Sequence, residues 1–300
     1  MLAVKTANIF YKEKRMKKIL IAIFALFLGL QVNAATTTTT TNWDSAAAQK
    51  RLNNIAYKLI KSNNLPDGIS IKVSAEDEAN AYANINKEIY VFKGMLNYAT
   101  TDEEIASVIA HEMGHIINGH NAKQSILNTL IANITGDSSK SVGAAAVQEL
   151  SSTKLSRKDE FEADLTGVDL MVKAGYNPLS MISVLNKICG NYVDIISTHP
   201  SGEKRLMNIY DYVSYNYPEW IKKGYTTDSY KKANALISLN IEERNASPRL
   251  TKKYEKQQEK LKKEKIKRAK KMLKANNGWN SAYNTLLMLN STTATEGTSK

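Results

Sequence analysis

Length, composition and charge place this chain among folded globular proteins. It has 300 residues, of which 43% are hydrophobic and 23% are charged, and this composition excludes an intrinsically disordered chain. The net charge of +12 is unevenly placed, because residues 1–34 carry +5, residues 35–240 carry −2 and residues 241–300 carry +9. The basic excess therefore indicates nothing about an acidic substrate for the central region.

The N-terminus is typical of a secretory signal peptide. Five basic residues within 12–18 precede an apolar run over 19–30, and Val32-Asn33-Ala34 offers a small-residue cleavage site. The apolar run is shorter than the roughly 20 residues that a membrane span needs. We therefore predict a signal peptide over residues 1–34, with Met16 as an alternative start, and an exported protein that is periplasmic or secreted.

The next segment predicts a helix followed by a small sheet. Residues 44–60 place their apolar side chains on one helical face. Residues 69–73 alternate as a strand, and two further strands over 81–85 and 88–92 flank a polar Asn86-Lys87 turn, which predicts a hairpin.

From Thr101 the pattern becomes helical and contains a metal-binding motif. Thr101-Asp102-Glu103-Glu104 is a capping box that starts a helix, and His111-Glu112-Met113-Gly114-His115 follows within it. His111 and His115 lie one helical turn apart and can bind one ion, for which zinc suits imidazole nitrogen. Glu112 is placed to act as the general base that takes the proton of a water molecule.

The region after this helix is predicted to contain a second helix and a loop, and the chain also carries His120 and Cys189, which are interpreted as structural residues. A second helix is predicted over 121–134, then a polar loop (135–141) and a small-residue segment (142–150) expected to lie near the cleft. His120 follows His115 by five residues, about 140° further round a helix, which favours a structural role at a helix end. The single cysteine, Cys189, excludes an intrachain disulfide, and its apolar surroundings favour a small buried residue.

A further helix presents a pair of carboxylates and ends near Gly175. Glu160 and Asp164 lie one turn apart and share a face, whereas Glu162 points to the other side. A third zinc ligand and a carboxylate that hydrogen-bonds a ligand histidine would need this spacing. An ordinary solvated acidic face is the alternative reading of this helix taken alone.

Three ordered motifs resemble those of one family of zinc metallopeptidases. They are the His111–His115 motif, Ser156-Arg157 followed by Glu160-Phe161-Glu162-Ala163-Asp164, and Thr198-His199-Pro200 followed by Arg205. Over about residues 45–215 the chain is similar to the family that includes HtpX, BepA, the mitochondrial Oma proteins and the CAAX prenyl proteases. The resemblance implies that Glu160 completes a site for one zinc ion per chain, with Asp164 as its hydrogen-bonding support.

The resemblance also implies a fold and two further site residues. The expected fold is α+β and predominantly helical, a zincin-like domain with a small sheet packed on helices. His199 and Arg205 are expected to face the metal cleft as catalytic residues, and His199 either stabilises the transition state or occupies the open zinc position and holds the enzyme latent. No long apolar span follows the signal and no tandem helical repeat follows the domain, so the architectures of HtpX and BepA are not carried over whole.

The sequence as a whole predicts a zinc endopeptidase over residues 35–240 that degrades exported, misfolded or unassembled polypeptides. Residues 241–300 are predicted to form a basic helical extension, with a helix over 252–274 that binds an anionic membrane or envelope surface or merely solubilises the domain. One alternative is a binding or chaperone module with structural zinc, although three ligands beside Glu112 describe an open, catalytic site. A nucleic-acid binder is disfavoured by the expected export and by the shortage of aromatic residues among the basic ones of that helix, where Tyr254 is the single example.

Overall fold

The structure is a computed structural model that describes residues 43–135, 156–190 and 202–295. The predicted signal peptide, the segment 142–150, the predicted loop beyond Thr135, and His199 lie outside the described residues. From Asp44 onward the described residues belong to one compact unit. The elements are α1 (Ser45–Asn63), β1 (Ser70–Ser74), β2 (Ala81–Ala83), β3 (Glu88–Phe92), α2 (Lys93–Tyr98), α3 (Asp102–Asn118), α4 (His120–Thr135), α5 (Arg157–Lys173), α6 (Ser180–Gly190), α7 (Gly202–Asn216), α8 (Pro218–Lys223), α9 (Asp228–Asn245), α10 (Pro248–Asn276) and α11 (Ser281–Thr295).

The predicted fold class, α+β and predominantly helical with one small sheet, is confirmed. The sheet has the order β1-β3-β2, with β1 parallel and β2 antiparallel to β3. The predicted hairpin is present, and the side chain of Asn84 accepts hydrogen bonds from the backbone N–H groups of Asn86 and Glu88. Ile89 and Val91 point into the core, as the alternation in β3 predicts. Strand β2 forms one edge of the sheet.

Helix α3 is the central element of the domain. Thr101 caps its first turn through the predicted capping box with Glu104, and the helix ends at Gly119, whose φ of +66° is left-handed. Every residue from Glu104 to Asn118 is buried, so other elements cover α3 on all sides. The buried carboxylate of Glu104 is satisfied at long range by Lys187 and Ser183, each at 2.7–2.8 Å.

Helix α5 packs against α3 more extensively than any other described pair of elements. Gly114 permits this approach, because a Cβ atom there would lie 2.5 Å from the carbonyl oxygen of Ala163 and 2.9 Å from its Cα. Gly167 of α5 faces back, where a Cβ atom would lie 3.1 Å from backbone atoms of Ala110 and His111. The two glycines therefore bring the carboxylates of α5 within reach of the histidines of α3.

The C-terminal helices pack on this core. The predicted basic helix extends further than expected, over Pro248–Asn276, with Ser247 as N-cap and Pro248 in the first turn. Its Arg268 is 3% exposed and pairs with Asp169 of α5 at 3.1 Å. The predicted boundary after residue 240 falls inside α9, and the division of the chain into domains stays a prediction. Among the described helices, none has both the length and the apolar character needed to cross a membrane.

Candidate metal centre

Three side chains from two helices meet at one point. His111 and His115 lie one turn apart on α3, with their Nε2 atoms 3.1 Å apart. Glu160, in the first turn of α5, places Oε2 3.5 Å from Nε2 of His111 and Oε1 3.4 Å from Nε2 of His115. Glu160 and His115 are both 0% exposed. The structure thus brings together all three residues predicted as metal ligands.

The donor set fits zinc. Tetrahedral zinc binds imidazole nitrogen and carboxylate oxygen at about 2.0–2.2 Å, which separates two ligand atoms by about 3.3 Å. The three separations of 3.1, 3.4 and 3.5 Å agree with that value. Among the described residues, this carboxylate and the two imidazoles supply three ligands, and zinc sites with three protein ligands are the catalytic type, in which water or substrate takes the fourth position.

Asp164 supports the first histidine, in the place that its helical spacing predicts. It lies one turn after Glu160 on α5, is 0% exposed, and has Oδ1 2.9 Å from Nδ1 of His111. A donor hydrogen on Nδ1 fixes the tautomer of the ring and directs Nε2 towards the metal position.

Arg205, on α7, is buried behind this pair. Its Nε and Nη2 atoms donate to the two oxygens of Asp164 at 2.8 and 2.7 Å, and Nη1 lies 2.9 Å from Oε2 of Glu160. The guanidinium therefore compensates two buried carboxylates with a bidentate fork that lysine could not reproduce. The predicted catalytic role of Arg205 is not tested by this geometry, but these contacts favour positioning of the ligands.

Electrostatics keep the two histidines in different states. Burial lowers the pKa of His111, but hydrogen bonds to Asp164 and Glu160 outweigh burial and raise it to about 10. Burial holds the pKa of His115 well below its usual range, so this ring is neutral, as a metal ligand must be. A metal at His111 has to displace a proton. Burial raises the pKa of Asp164, yet Arg205 and His111 more than offset it and lower the pKa.

Glu112 and an apolar wall form the cleft beside the ligands. Glu112 is 3% exposed and lines the cleft next to His111. The opposite wall comes largely from α6, through the apolar side chains of Met181, Val184, Leu185 and Ile188. Ala81 of the edge strand β2 also lines the cleft. Glu112 and the predicted ligand His111 thus share one largely apolar cleft.

One part of the site escaped sequence reasoning. His120, predicted to have a structural role at a helix end, does begin α4, but its Nδ1 lies 2.9 Å from Nδ1 of His115. Its Nε2 lies 3.4 Å from Glu162 and 3.5 Å from Asp159. The signal that could have revealed it is chemical, since the second ligand histidine needs a partner just as His111 does.

His199 was predicted as a catalytic residue and falls outside the described residues. Its two alternative roles therefore stay predictions.

Comparisons with known proteins agree with this geometry. The model of peptidase family M48 matches residues 46–213, more than half of the chain. Over 149 residues the chain is 38% identical to the mitochondrial metalloendopeptidase OMA1 of Arabidopsis thaliana, covering 46% of this chain and 31% of that protein. Over 180 residues it is 31% identical to the metalloprotease LoiP of Escherichia coli (strain K12), covering 55% and 70%.

A third relative is the beta-barrel assembly-enhancing protease of Escherichia coli O157:H7, 24% identical over 178 residues, which are 52% of this chain and 37% of that protein. The chain thus spans about a third of the plant protein and of the beta-barrel assembly-enhancing protease. The family match ends at Val213, in α7, so helices α8 to α11 lie beyond it.

Proposed function

The chain belongs to peptidase family M48, and we propose that it is a metalloendopeptidase that cleaves exported proteins that are misfolded or unassembled. We propose that it uses one zinc ion held by His111, His115 and Glu160. The observation that carries the proposal is the convergence of these three ligands at one point, with His111 and Glu112 lining the adjoining apolar cleft.

Each residue of the site has its own role in the proposed hydrolysis. When bound, zinc supplies Lewis acidity, which polarises a peptide carbonyl and lowers the pKa of water. Glu112 accepts the proton of the attacking water at its carboxylate and delivers it to the departing amine nitrogen. Asp164 holds His111 in the ligating tautomer, and the surrounding burial strengthens each of these interactions by excluding water.

Arg205 is proposed as a positioning residue, with transition-state stabilisation as the competing role. Its contacts with Asp164 and Glu160 (2.7–2.9 Å) tie the carboxylate ligand to the support of His111. Loss of Arg205 in the Arg205→Ala variant should then lower zinc affinity together with turnover. A kcat reduced by about 100–1,000-fold with unchanged zinc affinity would instead support a transition-state donor.

His199 retains both proposed roles. If His199 donates a hydrogen bond in the transition state, His199→Ala lowers turnover; if it occupies the open metal position, His199→Ala raises turnover. Unchanged turnover would remove His199 from the mechanism.

Two observations and one prediction support the proposed substrate class. The apolar wall of α6 suits the hydrophobic side chains that folded proteins hide and unfolded ones expose. The signal peptide predicted over residues 1–34 would bring the enzyme to exported proteins. One relative is named as a beta-barrel assembly-enhancing protease.

We also propose that α10 binds an anionic membrane or envelope surface. Its solvent-exposed side chains are mostly basic: Lys252, Lys253, Lys256, Lys260, Lys262, Lys263, Lys267, Lys270 and Lys274. Each contributes about 1 kcal/mol at most near an anionic surface. Since α10 packs on the core, charge reversal is a cleaner test than deletion. Lys262→Glu with Lys263→Glu should weaken salt-sensitive binding to phosphatidylserine vesicles, and unchanged binding would refute this part of the proposal.

The central experiment is digestion of casein by the purified protein, with and without a zinc chelator and after zinc is restored. We expect cleavage that chelation abolishes and zinc restores. Glu112→Gln should keep zinc and lose activity by several orders of magnitude, because an amide cannot accept the proton. Glu103→Gln, on the same helix but away from the cleft, is the matched control. Zinc binding without cleavage by the parent protein would favour the binding-module alternative, and near-parental turnover of Glu112→Gln would refute the assigned base.

A further inference from the structure

A series of hydrogen-bonded side chains runs from the proposed metal site to helix α10. His115 faces His120 through their Nδ1 atoms at 2.9 Å, and His120 faces Glu162 through Nε2 at 3.4 Å. Glu162 in turn forms an ion pair with Lys271 of α10. His120 is 4% exposed, so its ring is held in a protein environment.

From this arrangement we infer that His120, Glu162 and Lys271 position the metal ligand His115, which makes α10 part of the support of the active site. The inference rests on the zinc site proposed above. His120 and Glu162 lie within the family match to residues 46–213, whereas Lys271 lies far beyond Val213, where that match ends.

The tautomers agree along the whole chain of contacts. A metal on Nε2 of His115 leaves the hydrogen on Nδ1, which then donates to Nδ1 of His120. With Nδ1 acting as acceptor, neutral His120 carries its hydrogen on Nε2 and donates to the carboxylate of Glu162 or Asp159. Each donor therefore meets an acceptor. The arrangement gives His115 the support that Asp164 gives His111.

Lys271 anchors the end of this hydrogen-bond network that lies on α10. Besides Glu162, its Nζ donates to Oδ1 of Asn118 at 3.0 Å, at the last turn of α3. The ion pair with the Lys271 ammonium favours the carboxylate form of Glu162, which accepts hydrogen bonds through both oxygens. The Arg268–Asp169 pair one turn earlier holds α10 against α5.

The same residues raise the alternative of a second metal site. His120, Asp159 and Glu162 place ligand atoms within 4.8 Å of one another. Two arguments count against a second ion. With zinc on Nε2 of His115, the contact between the two Nδ1 atoms would leave a hydrogen, not a lone pair, on Nε2 of His120. In addition, the ammonium of Lys271 already forms an ion pair with Glu162. A positioning role uses every one of these contacts, whereas a second metal would have to break two of them.

The test is the zinc affinity of variants of the full chain, measured by competition with a chromophoric chelator. His120→Phe keeps an aromatic ring without an acceptor and should weaken zinc binding by about 10–100-fold. His120→Asn places an amide oxygen close to where Nδ1 lies, so it keeps the acceptor that faces His115 and should bind zinc within about threefold of the parent. The visible spectrum of the cobalt-substituted protein should change in His120→Phe and not in His120→Asn.

The contribution of α10 is tested with a matched pair of lysines. Lys271→Met should weaken zinc binding by about threefold to tenfold, while Lys270→Met, exposed on the same helix, should leave it unchanged. In the His120→Phe background, Lys271→Met should have no further effect, because the two act through one path.

Each outcome of these measurements supports or rejects one hypothesis. If the parent binds no zinc, the proposed function fails; if the parent binds zinc and His120→Phe binds it equally well, this inference fails alone. Lys271→Met that lowers the unfolding temperature of the metal-free protein but leaves zinc affinity intact would reduce α10 to a structural brace. Two zinc ions per parent chain, falling to one in Glu162→Gln, would overturn the inference in favour of a second metal site.

Discussion

Gly114→Ala tests how the close packing of α3 and α5 builds the metal site. Gly114 lies between the two ligand histidines, and a Cβ atom there would stand 2.5 Å from the carbonyl oxygen of Ala163, where ordinary contact begins at 3.4 Å. The obstructing atoms are backbone, so no side chain can rotate away. Helix α5 must therefore retreat by about 1 Å, the difference between these distances.

That retreat acts directly on the ligand set. Glu160 lies three residues before Ala163 on α5, and its distances of 3.4 and 3.5 Å to the two histidines would lengthen by a similar amount. Metal sites tolerate deviations of about 0.2 Å in ligand distance, so zinc affinity should fall by more than about tenfold. Overpacking costs about 1–3 kcal/mol, partly offset by the higher helix propensity of alanine, worth up to about 1 kcal/mol.

The assay is chelator competition for zinc together with urea unfolding of the metal-free protein. Gly167→Ala is the graded comparison, because its closest contacts, at 3.0–3.1 Å, include the flexible end of Met181; its effects should be smaller on both measurements. Parental zinc affinity in Gly114→Ala would refute the claim that this glycine sets the helix separation that the site requires.

Other predictions follow from the same contacts. Glu160→Ala should abolish zinc binding, whereas Glu162→Ala should weaken it only modestly, and the reverse order would contradict the assigned ligand. Asp164→Asn should lower zinc affinity by about 10–100-fold, measured by the same competition. Glu104→Gln should destabilise the fold by about 1–3 kcal/mol at neutral pH. Burial raises the pKa of Glu104, but hydrogen bonds, chiefly from Lys187, outweigh burial and lower the pKa below 4.5. The difference in unfolding free energy from the parent should therefore shrink as the pH falls below that value, and a pH-independent difference would exclude the ion pair as its cause. Removing zinc with a chelator should lower the free energy of unfolding by about 2.7 kcal/mol when free zinc had been 100 times its dissociation constant.

Local chemistry made much of the fold predictable. The capping box at Thr101 fixes where α3 begins, since its side chain and that of Glu104 satisfy each other within one turn. The Asn86-Lys87 turn lies within the hairpin between β2 and β3 that the alternation predicts. The helical phase of Glu160 and Asp164 puts both on the face that meets α3, because α5 is a regular helix.

Contacts between distant segments were not predictable. The pairing of Lys271 with Glu162 joins residues 109 positions apart, and nothing in a run of lysines distinguishes the one that will be half-buried. Arg205 was placed in the cleft by its neighbourhood in sequence, but its fork is directed at Asp164 by the packing of α7 on α5. The contact of His120 with His115 could not be predicted, because it depends on the change of direction at Gly119, which brings the first residue of α4 beside His115.

The complete burial of α3 from Glu104 to Asn118 also governs how its backbone meets solvent. Amide hydrogens in such a helix exchange with deuterium only when the elements around it separate, so their exchange reports global opening of the domain. Helix α8, over Pro218–Lys223, has no buried residue and should lose its amide hydrogens through local fraying. His111 and His115 therefore keep their spacing during local unfolding at the surface and lose it only when the whole domain unfolds.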